Sequence, residues 1–441
     1  MKRIPYFIIL FFAVFTQSFA QFTQQERDSI YRLSTEDHQV MLKKLGIDSL
    51  RHGPSGNPQD ANAANAEESK VSTYKLPELL VFKNGSKVNS VADWEKRRLE
   101  IIEDFDAEVY GRFPENIPAV NWNVVSRKDS VIGKHPVLIE ELLGVVDNSA
   151  YPGIGVEIQM TLTLPKNSDK PVPVILKFDW NFPAGFNLPE EENPWQEQLL
   201  AQNWGYASLI PTSYQADNGA GLREGIIGLV NKGQPRKTDD WGALKAWAWG
   251  AGRALDYFKS HPQINAENVA IEGLSRYGKA AMVAMSYDNR FAIGFIGSAG
   301  AGGTKILRRN FGEQVENLAS ASQYHWFAPS FIKYAGPLET NDLPVDAHHL
   351  IALAAPRPVF ISSGDPKVEG NWIDAKGMYL AGVHASPAYE IYGEKALSNV
   401  EFPEVGKFLS EGKLVFRIHE GGHTVIPNWP YFIEFAKLHF K

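Results

Sequence analysis

Ser275 stands in the run Gly273-Leu274-Ser275-Arg276-Tyr277-Gly278-Lys279, between a stretch that reads as a buried strand (Asn268 to Glu272) and an alanine-rich stretch that reads as a helix (Ala280 to Met285). A serine on so tight a strand-to-helix turn is exposed, and the helix N-terminus favours negative charge developing beside it. Gly273 and Gly278 let the backbone fold sharply and the helix approach the strand. Such a hydroxyl suits attack on an ester carbonyl through a covalent acyl intermediate. That chemistry needs a base, and His423 is the candidate. It follows the last apolar strand (Leu414 to Ile418), on a Gly421-Gly422 loop ahead of a final helix. His419, at the end of that strand, competes for the role but reads as structural. A carboxylate then has to orient the imidazole and stabilise its charge. Asp365 and Glu369 both lie just past another apolar strand, in Ser362-Ser363-Gly364-Asp365-Pro366-Lys367-Val368-Glu369-Gly370-Asn371-Trp372. The pattern leaves the choice between them open, since Asp365 in Gly-Asp-Pro also suits a turn.

The elements needed to position these groups are legible. From Val172 onward, apolar strands alternate with helical patterns as far as Trp429 to Leu438, which predicts a mostly parallel sheet flanked by helices, a three-layer α/β sandwich. The strand-like stretches before it (Val120 to Ser126, Pro136 to Val146, Gly155 to Leu164) suit an antiparallel edge of the same sheet. Chain order serine, acid, histidine is that of the α/β-hydrolase fold. The usual elbow, G-x-S-x-G, would have glycine at 277, where this chain has Tyr277. A helix is expected to start near Asp93 and stop before Gly111 and Pro114. The division expected is a signal peptide over 1–20, a polar segment and linker over 21–75, and a catalytic domain with insertions over 76–441. Within the middle portion, Arg51 to Ser72 lacks any pattern capable of burying a core and is expected to be mobile.

With 441 residues, 44% of them hydrophobic and 22% charged, the chain has material for a large core, and its net charge of −7 argues against a nucleic-acid partner. Met1-Lys2-Arg3, the apolar stretch Ile4 to Phe15 and Ser18-Phe19-Ala20 form an export signal, cleaved after Ala20. The apolar stretch is short for a membrane span, and no cysteine follows it to carry a lipid. The expected product is periplasmic or extracellular, without a membrane anchor, and a monomer. The chain contains no cysteine, so thiolate catalysis, disulfides and cysteine metal sites are excluded. His348-His349 reads as a surface or packing pair rather than a metal pair, because adjacent side chains point apart.

The G-x-S-R-x-G-K form of the elbow resembles the glucuronoyl esterases, carbohydrate esterase family 15. The resemblance extends to Trp94 to Pro114, Trp241 to Gly250, Arg308-Arg309-Asn310-Phe311-Gly312-Glu313, Tyr324-His325-Trp326-Phe327 and Leu350 to Pro358. It implies a serine esterase acting on esters between (4-O-methyl-)glucuronic acid of glucuronoxylan and lignin alcohols, with no cofactor and no metal. It further implies that Arg276 holds the oxyanion and that Lys279, Glu313 and Trp372 bind the sugar. In many members the acid is a glutamate after the strand following the elbow; here Ser298 occupies that place. Bacterial members often carry the acid on the later loop, shortly before a tryptophan, which favours Glu369 over Asp365. Competing expectations are an acetyl-xylan or cinnamoyl esterase on the same fold, and a non-catalytic glycan-binding relative.

Overall fold

The computed structural model describes residues 23–181, 193–398 and 401–441. The expected export signal lies outside them. The strands are β1 (Val120–Ile132), β2 (His135–Val146), β3 (Glu157–Pro165), β4 (Val172–Phe178), β5 (Gly205–Ile210), β6 (Ile264–Leu274), β7 (Ile293–Gly297), β8 (Val359–Gly364), β9 (Phe408–Leu409) and β10 (Leu414–His419). Among the described residues they form one ten-stranded sheet in the order β1-β2-β3-β5-β4-β6-β7-β8-β10-β9. β1, β2, β3 and β5 pair antiparallel. From β5 to β10 every neighbour is parallel, and β9 closes the edge antiparallel to β10.

Helices cover both faces: α1 (Gln24–Leu45), α2 (Val91–Glu108), α3 (Trp195–Leu200), α4 (Gly225–Val230), α5 (Ala243–Ser260), α6 (Arg276–Tyr287), α7 (Val315–Leu318), α8 (Ala347–Ala352), α9 (Ala375–Glu390) and α10 (Trp429–Lys437). The parallel strands are near-continuous apolar runs because both of their faces are covered. Alternation along each strand divides the core. Val174, Leu176, Val269, Ile271, Val359, Ile361, Leu414 and Phe416 join the larger cluster with α5 and α6. Ile175, Ala270, Phe360 and Val415 point the other way, into a smaller cluster closed by Trp195 and Leu199 of α3 and by Trp429 and Phe432 of α10. None of the described helices is long and apolar enough to cross a membrane.

The N-terminal portion differs from expectation. α1 begins with a capping box between Thr23 and Glu26 and ends at Gly46, φ 66°. Its Met41 and Leu42, with Ile47, belong to the same cluster as Leu79, so the packing has no boundary at Leu76. The segment 51–72 is pinned along its length and is not a free linker. Arg51 donates to the carbonyls of Tyr334, Gly336 and Leu338. Asn65 and Ser72 bond to Asn310, and Glu68 pairs with Arg309 and Lys376. The physical reason is that polar groups bonded to carbonyls and to charged side chains hold this stretch, and hydropathy patterning carries no trace of them. His348 and His349 are buried, His348 Nε2 meeting the Pro77 carbonyl at 3.0 Å.

Candidate active site

Because β6, β8 and β10 run parallel, the loops after all three leave the same edge of the sheet, where ligands bind in open α/β sheets. Ser275 sits between β6 and α6 at φ 61°, ψ −127°. A non-glycine residue with positive φ stores strain, and such strain gathers at functional turns. The turn survives because its neighbours are small. A Cβ on Gly273 would lie 2.1 Å from the Tyr277 carbonyl oxygen, and one on Gly278 would lie 2.7 Å from that of Gly297. The same Gly297 oxygen accepts the Ser275 N–H at 2.9 Å. The close approach of α6 to β7 therefore falls at Gly278. Position 277 turns inward instead, where the Tyr277 ring packs against Trp180 (4.5 Å) and Trp247 (5.4 Å). That accounts for the displaced glycine of the elbow.

His423 arrives on the loop after β10. Val425, two residues on, occupies the space beside Gly297, its Cγ1 being 2.2 Å from where a Cβ would stand. Gly297 is thus held by the serine turn on one side and by the histidine loop on the other. His419 is fully buried, its Nε2 bonding the Gly422 carbonyl (2.9 Å) and its Nδ1 the Asn428 amide (3.0 Å). It braces the glycine loop from below.

Glu369 Oε1 meets His423 Nδ1 at 2.6 Å, so a serine partner has to be served by Nε2. Its other oxygen accepts from Gly364 N (2.5 Å) and Ser363 Oγ (2.9 Å). Burial opposes ionisation of Glu369, but the bond to His423, the imidazole charge and the Gly364 N–H outweigh it and hold the carboxyl below its ordinary value. Asp365, the other candidate, caps its own turn by accepting from Lys367 N at 2.9 Å. Ser298 is buried at φ 42°, and its hydroxyl faces the Glu369 carboxylate. The two loop positions available for an acid therefore converge on one spot.

Arg276 lies near both Trp180 and Trp326, its guanidinium carbon 5.5 and 5.4 Å from their ring centres. Its Nη1 donates to Asp217 Oδ2 at 2.5 Å. Asp217 Oδ1 takes bonds from His325 Nε2 (2.9 Å) and Trp326 Nε1 (2.7 Å). Burial works against the charge on Asp217, yet Arg276 and these donors hold its carboxyl well below the usual carboxylate range. Sequence reasoning missed Asp217 altogether. His325 and Trp326 stood only in a matching run, with no role attached, and no local pattern joins them to a residue more than a hundred positions upstream.

Lys279 is buried, and its ammonium donates to the carbonyls of Ala299 (2.7 Å) and Ala301 (2.6 Å) with Glu313 Oε2 at 3.7 Å. Desolvation lowers its pKa against the pull of Glu313. Glu313 N in turn bonds the Trp372 carbonyl at 3.0 Å. Trp372 is half-buried, and Gly56 of the N-terminal segment lies against its ring. One contiguous region thus holds a strained serine, an imidazole–carboxylate pair, a guanidinium and a buried ammonium–carboxylate pair, a set suited to acyl transfer from an anionic or polyhydroxylated substrate.

A family model described as glucuronyl esterase of fungi matches residues 235–393. A carbohydrate esterase from an unknown prokaryotic organism is 29% identical over 411 residues, 85% of this chain and 92% of that protein. The 4-O-methyl-glucuronoyl methylesterase of Schizophyllum commune is 27% identical over 78% of this chain and 82% of its own length. Among solved structures, a glucuronoyl esterase of carbohydrate esterase family 15 from Teredinibacter turnerae superposes with a TM-score of 0.87 at 44% identity, covering 92% of this chain and 99% of that one. The glucuronoyl esterase of Solibacter usitatus gives a TM-score of 0.75 at 32% identity, over 85% of this chain and 100% of its own.

Proposed function

The chain belongs to the glucuronoyl esterases of carbohydrate esterase family 15, and from that membership and the site we propose a mechanism for it as a serine carboxylic ester hydrolase. The substrate is an ester of (4-O-methyl-)glucuronic acid carried on glucuronoxylan, with a lignin-type alcohol as leaving group. Ser275 Oγ attacks the uronoyl carbonyl while His423 Nε2 takes its proton. Arg276 stabilises the oxyanion of the tetrahedral intermediate. The C–O bond to the alcohol breaks, His423 returns the proton to the departing oxygen, and the glucuronoyl group remains on Ser275. Water, deprotonated by His423, then releases glucuronic acid and restores the hydroxyl. Glu369 keeps His423 in the tautomer whose Nε2 accepts, and balances the imidazolium. Lys279, Glu313 and Trp372 recognise the sugar.

The 2.6 Å contact between Glu369 and His423 carries this reading, because it supplies an oriented base on the sheet edge that holds the strained serine. We further infer that residues 1–20 direct export, and that the mature chain acts as a monomer in the periplasm or outside the cell. Initial rates on benzyl glucuronate, p-nitrophenyl acetate and methyl ferulate test the substrate. Preference for the glucuronate ester is expected. Faster turnover of the acetate or ferulate ester would replace glucuronoyl specificity by acetyl-xylan or cinnamoyl esterase activity, and no turnover of any would leave a glycan-binding role.

A further inference from the structure

Arg276 reaches Asp217 from the first turn of α6, and the residues around Asp217 belong to two other loops. Asp217 lies on the loop after β5. Gln215, two residues before it, bonds the Gly221 carbonyl and the Ile227 N–H, and Trp247 Nε1 donates to the Gln215 carbonyl. His325 and Trp326 lie on a short 3-10 turn whose Tyr324 hydroxyl bonds Ser34 and Asp37 of α1. The same helix bonds the Asp217 loop, through Ala220 N to Ser34 Oγ and Arg223 to Asp37. α1 thus ties both loops together from behind.

We propose that Asp217 is the positioning residue for Arg276, holding the guanidinium in the orientation in which it meets the oxyanion; the proposal rests on the esterase reading above. Three observations carry it. Both oxygens of the Asp217 carboxylate are engaged by donors: one takes Arg276, and the other takes His325 and Trp326. His325, which is buried, therefore carries its proton on Nε2 and serves as a fixed donor. Two indole rings, those of Trp180 and Trp326, also have their centres within 5.5 Å of the Arg276 guanidinium carbon, so the rings and the Asp217 carboxylate together limit where the group can move. A guanidinium aligned before reaction needs no reorganisation when the oxyanion forms, and preorganisation of this kind lowers the barrier to chemistry more than it tightens substrate binding.

The chemistry predicts what an amide does here. In Asp217→Asn the side-chain oxygen satisfies His325 and Trp326 together, which turns the NH2 group toward Arg276. Two donors then face each other, and the guanidinium is pushed off its seat. The backbone and the volume stay nearly unchanged.

The test uses the full-length enzyme and a double-mutant cycle of Asp217→Asn with Arg276→Ala, on whichever of benzyl glucuronate and p-nitrophenyl acetate the parent hydrolyses faster. We expect Asp217→Asn to lower kcat by roughly tenfold to a hundredfold with KM little changed, and the double variant to be no slower than Arg276→Ala alone. Asp217→Glu, which keeps the charge, should recover part of the loss. Additive losses in the cycle, or a rise in KM with kcat intact, would overturn the positioning role and leave the esterase reading standing. A parent chain inactive on both esters would sink that reading and this proposal with it. Should Asp217→Asn fail to give a cooperative thermal melt, Trp326→Phe takes its place, since it removes one donor from Asp217 and keeps an aromatic ring. Its kcat should fall in the parent background and not in Arg276→Ala; an unchanged kcat in the parent background refutes the proposal.

Discussion

Replacing Glu369 with glutamine separates the proposed acid from its neighbour. Glu369 is 4% exposed, with Oε2 fixed by Gly364 N and Ser363 Oγ and Oε1 against His423 Nδ1. In Glu369→Gln the two fixed donors hold the amide oxygen, so the NH2 group is the part left to face Nδ1. His423 then has to accept at Nδ1 and carry its proton on Nε2, the tautomer unable to take a proton from serine. The charge that balanced the imidazolium is lost as well. Together these should lower kcat by about 10³- to 10⁴-fold, or roughly 4–5.5 kcal/mol of barrier. The same change at Asp365, whose carboxylate only closes a turn through Lys367 N, should leave kcat within about twofold. Both variants are assayed for initial rates on benzyl glucuronate, with a thermal melt to show that each is folded. A Glu369→Gln enzyme near full activity, or one matched in its loss by Asp365→Asn, would refute the reasoning. Because the Ser298 hydroxyl faces the same carboxylate, Ser298→Glu added to Glu369→Ala should restore part of kcat, and failure to do so would show that residue 298 cannot orient His423.

Ser275→Ala and His423→Ala should each abolish nearly all turnover with little change in melting temperature, and the double variant should be scarcely slower than either; additive losses would mean that the two do not act as a unit. Glu313→Gln should lower kcat/KM on glucuronate esters by roughly tenfold to a hundredfold and on p-nitrophenyl acetate far less, whereas equal losses would assign Glu313 to holding Lys279 in place. Glu272, buried in β6 with neither carboxylate oxygen bonded among the described residues, is pushed by burial from 4.5 up to about 7. The folded chain therefore keeps a proton that the unfolded chain has already lost, so this contribution to stability is whole below about pH 4.5 and is lost as pH rises through about 7, a swing on the order of 3 kcal/mol. The melting temperature should fall from about pH 5 to about pH 8, and Glu272→Gln should flatten that slope; an unaltered slope in the variant would show that Glu272 is not its source.

Much of the fold is legible locally. The runs 172–178, 359–362 and 415–418 are apolar at nearly every position, as strands covered on both faces require, and their alternation with helical patterns implied a parallel sheet. The serine turn was readable because strand, small residues and helix follow one another without a gap. Even the displaced glycine was visible, although its reason was not. Only the packed structure shows that Gly278 is the point of contact with β7, while Tyr277 is a core ring among tryptophans.

What the sequence determined by itself is what depends on neighbours along the chain: strands and helices from periodicity, the elbow from its turn chemistry, and the order of the proposed serine, acid and histidine from the succession of elements. Which of Asp365 and Glu369 meets His423 was a matter of tertiary structure, since four residues of separation in one loop place one carboxylate against the imidazole and the other in a turn. The seat of Arg276 belongs there too, for Asp217 comes from one loop and His325 and Trp326 from another. So does the order of residues 51–72, which hydrogen bonds to distant carbonyls and ion pairs maintain in place of an apolar face. Burial of apolar groups recurs with the period of the local backbone and so leaves a pattern in the chain. Directional polar contacts between distant segments have no period, and they come into being only when the fold brings their partners within about 3 Å.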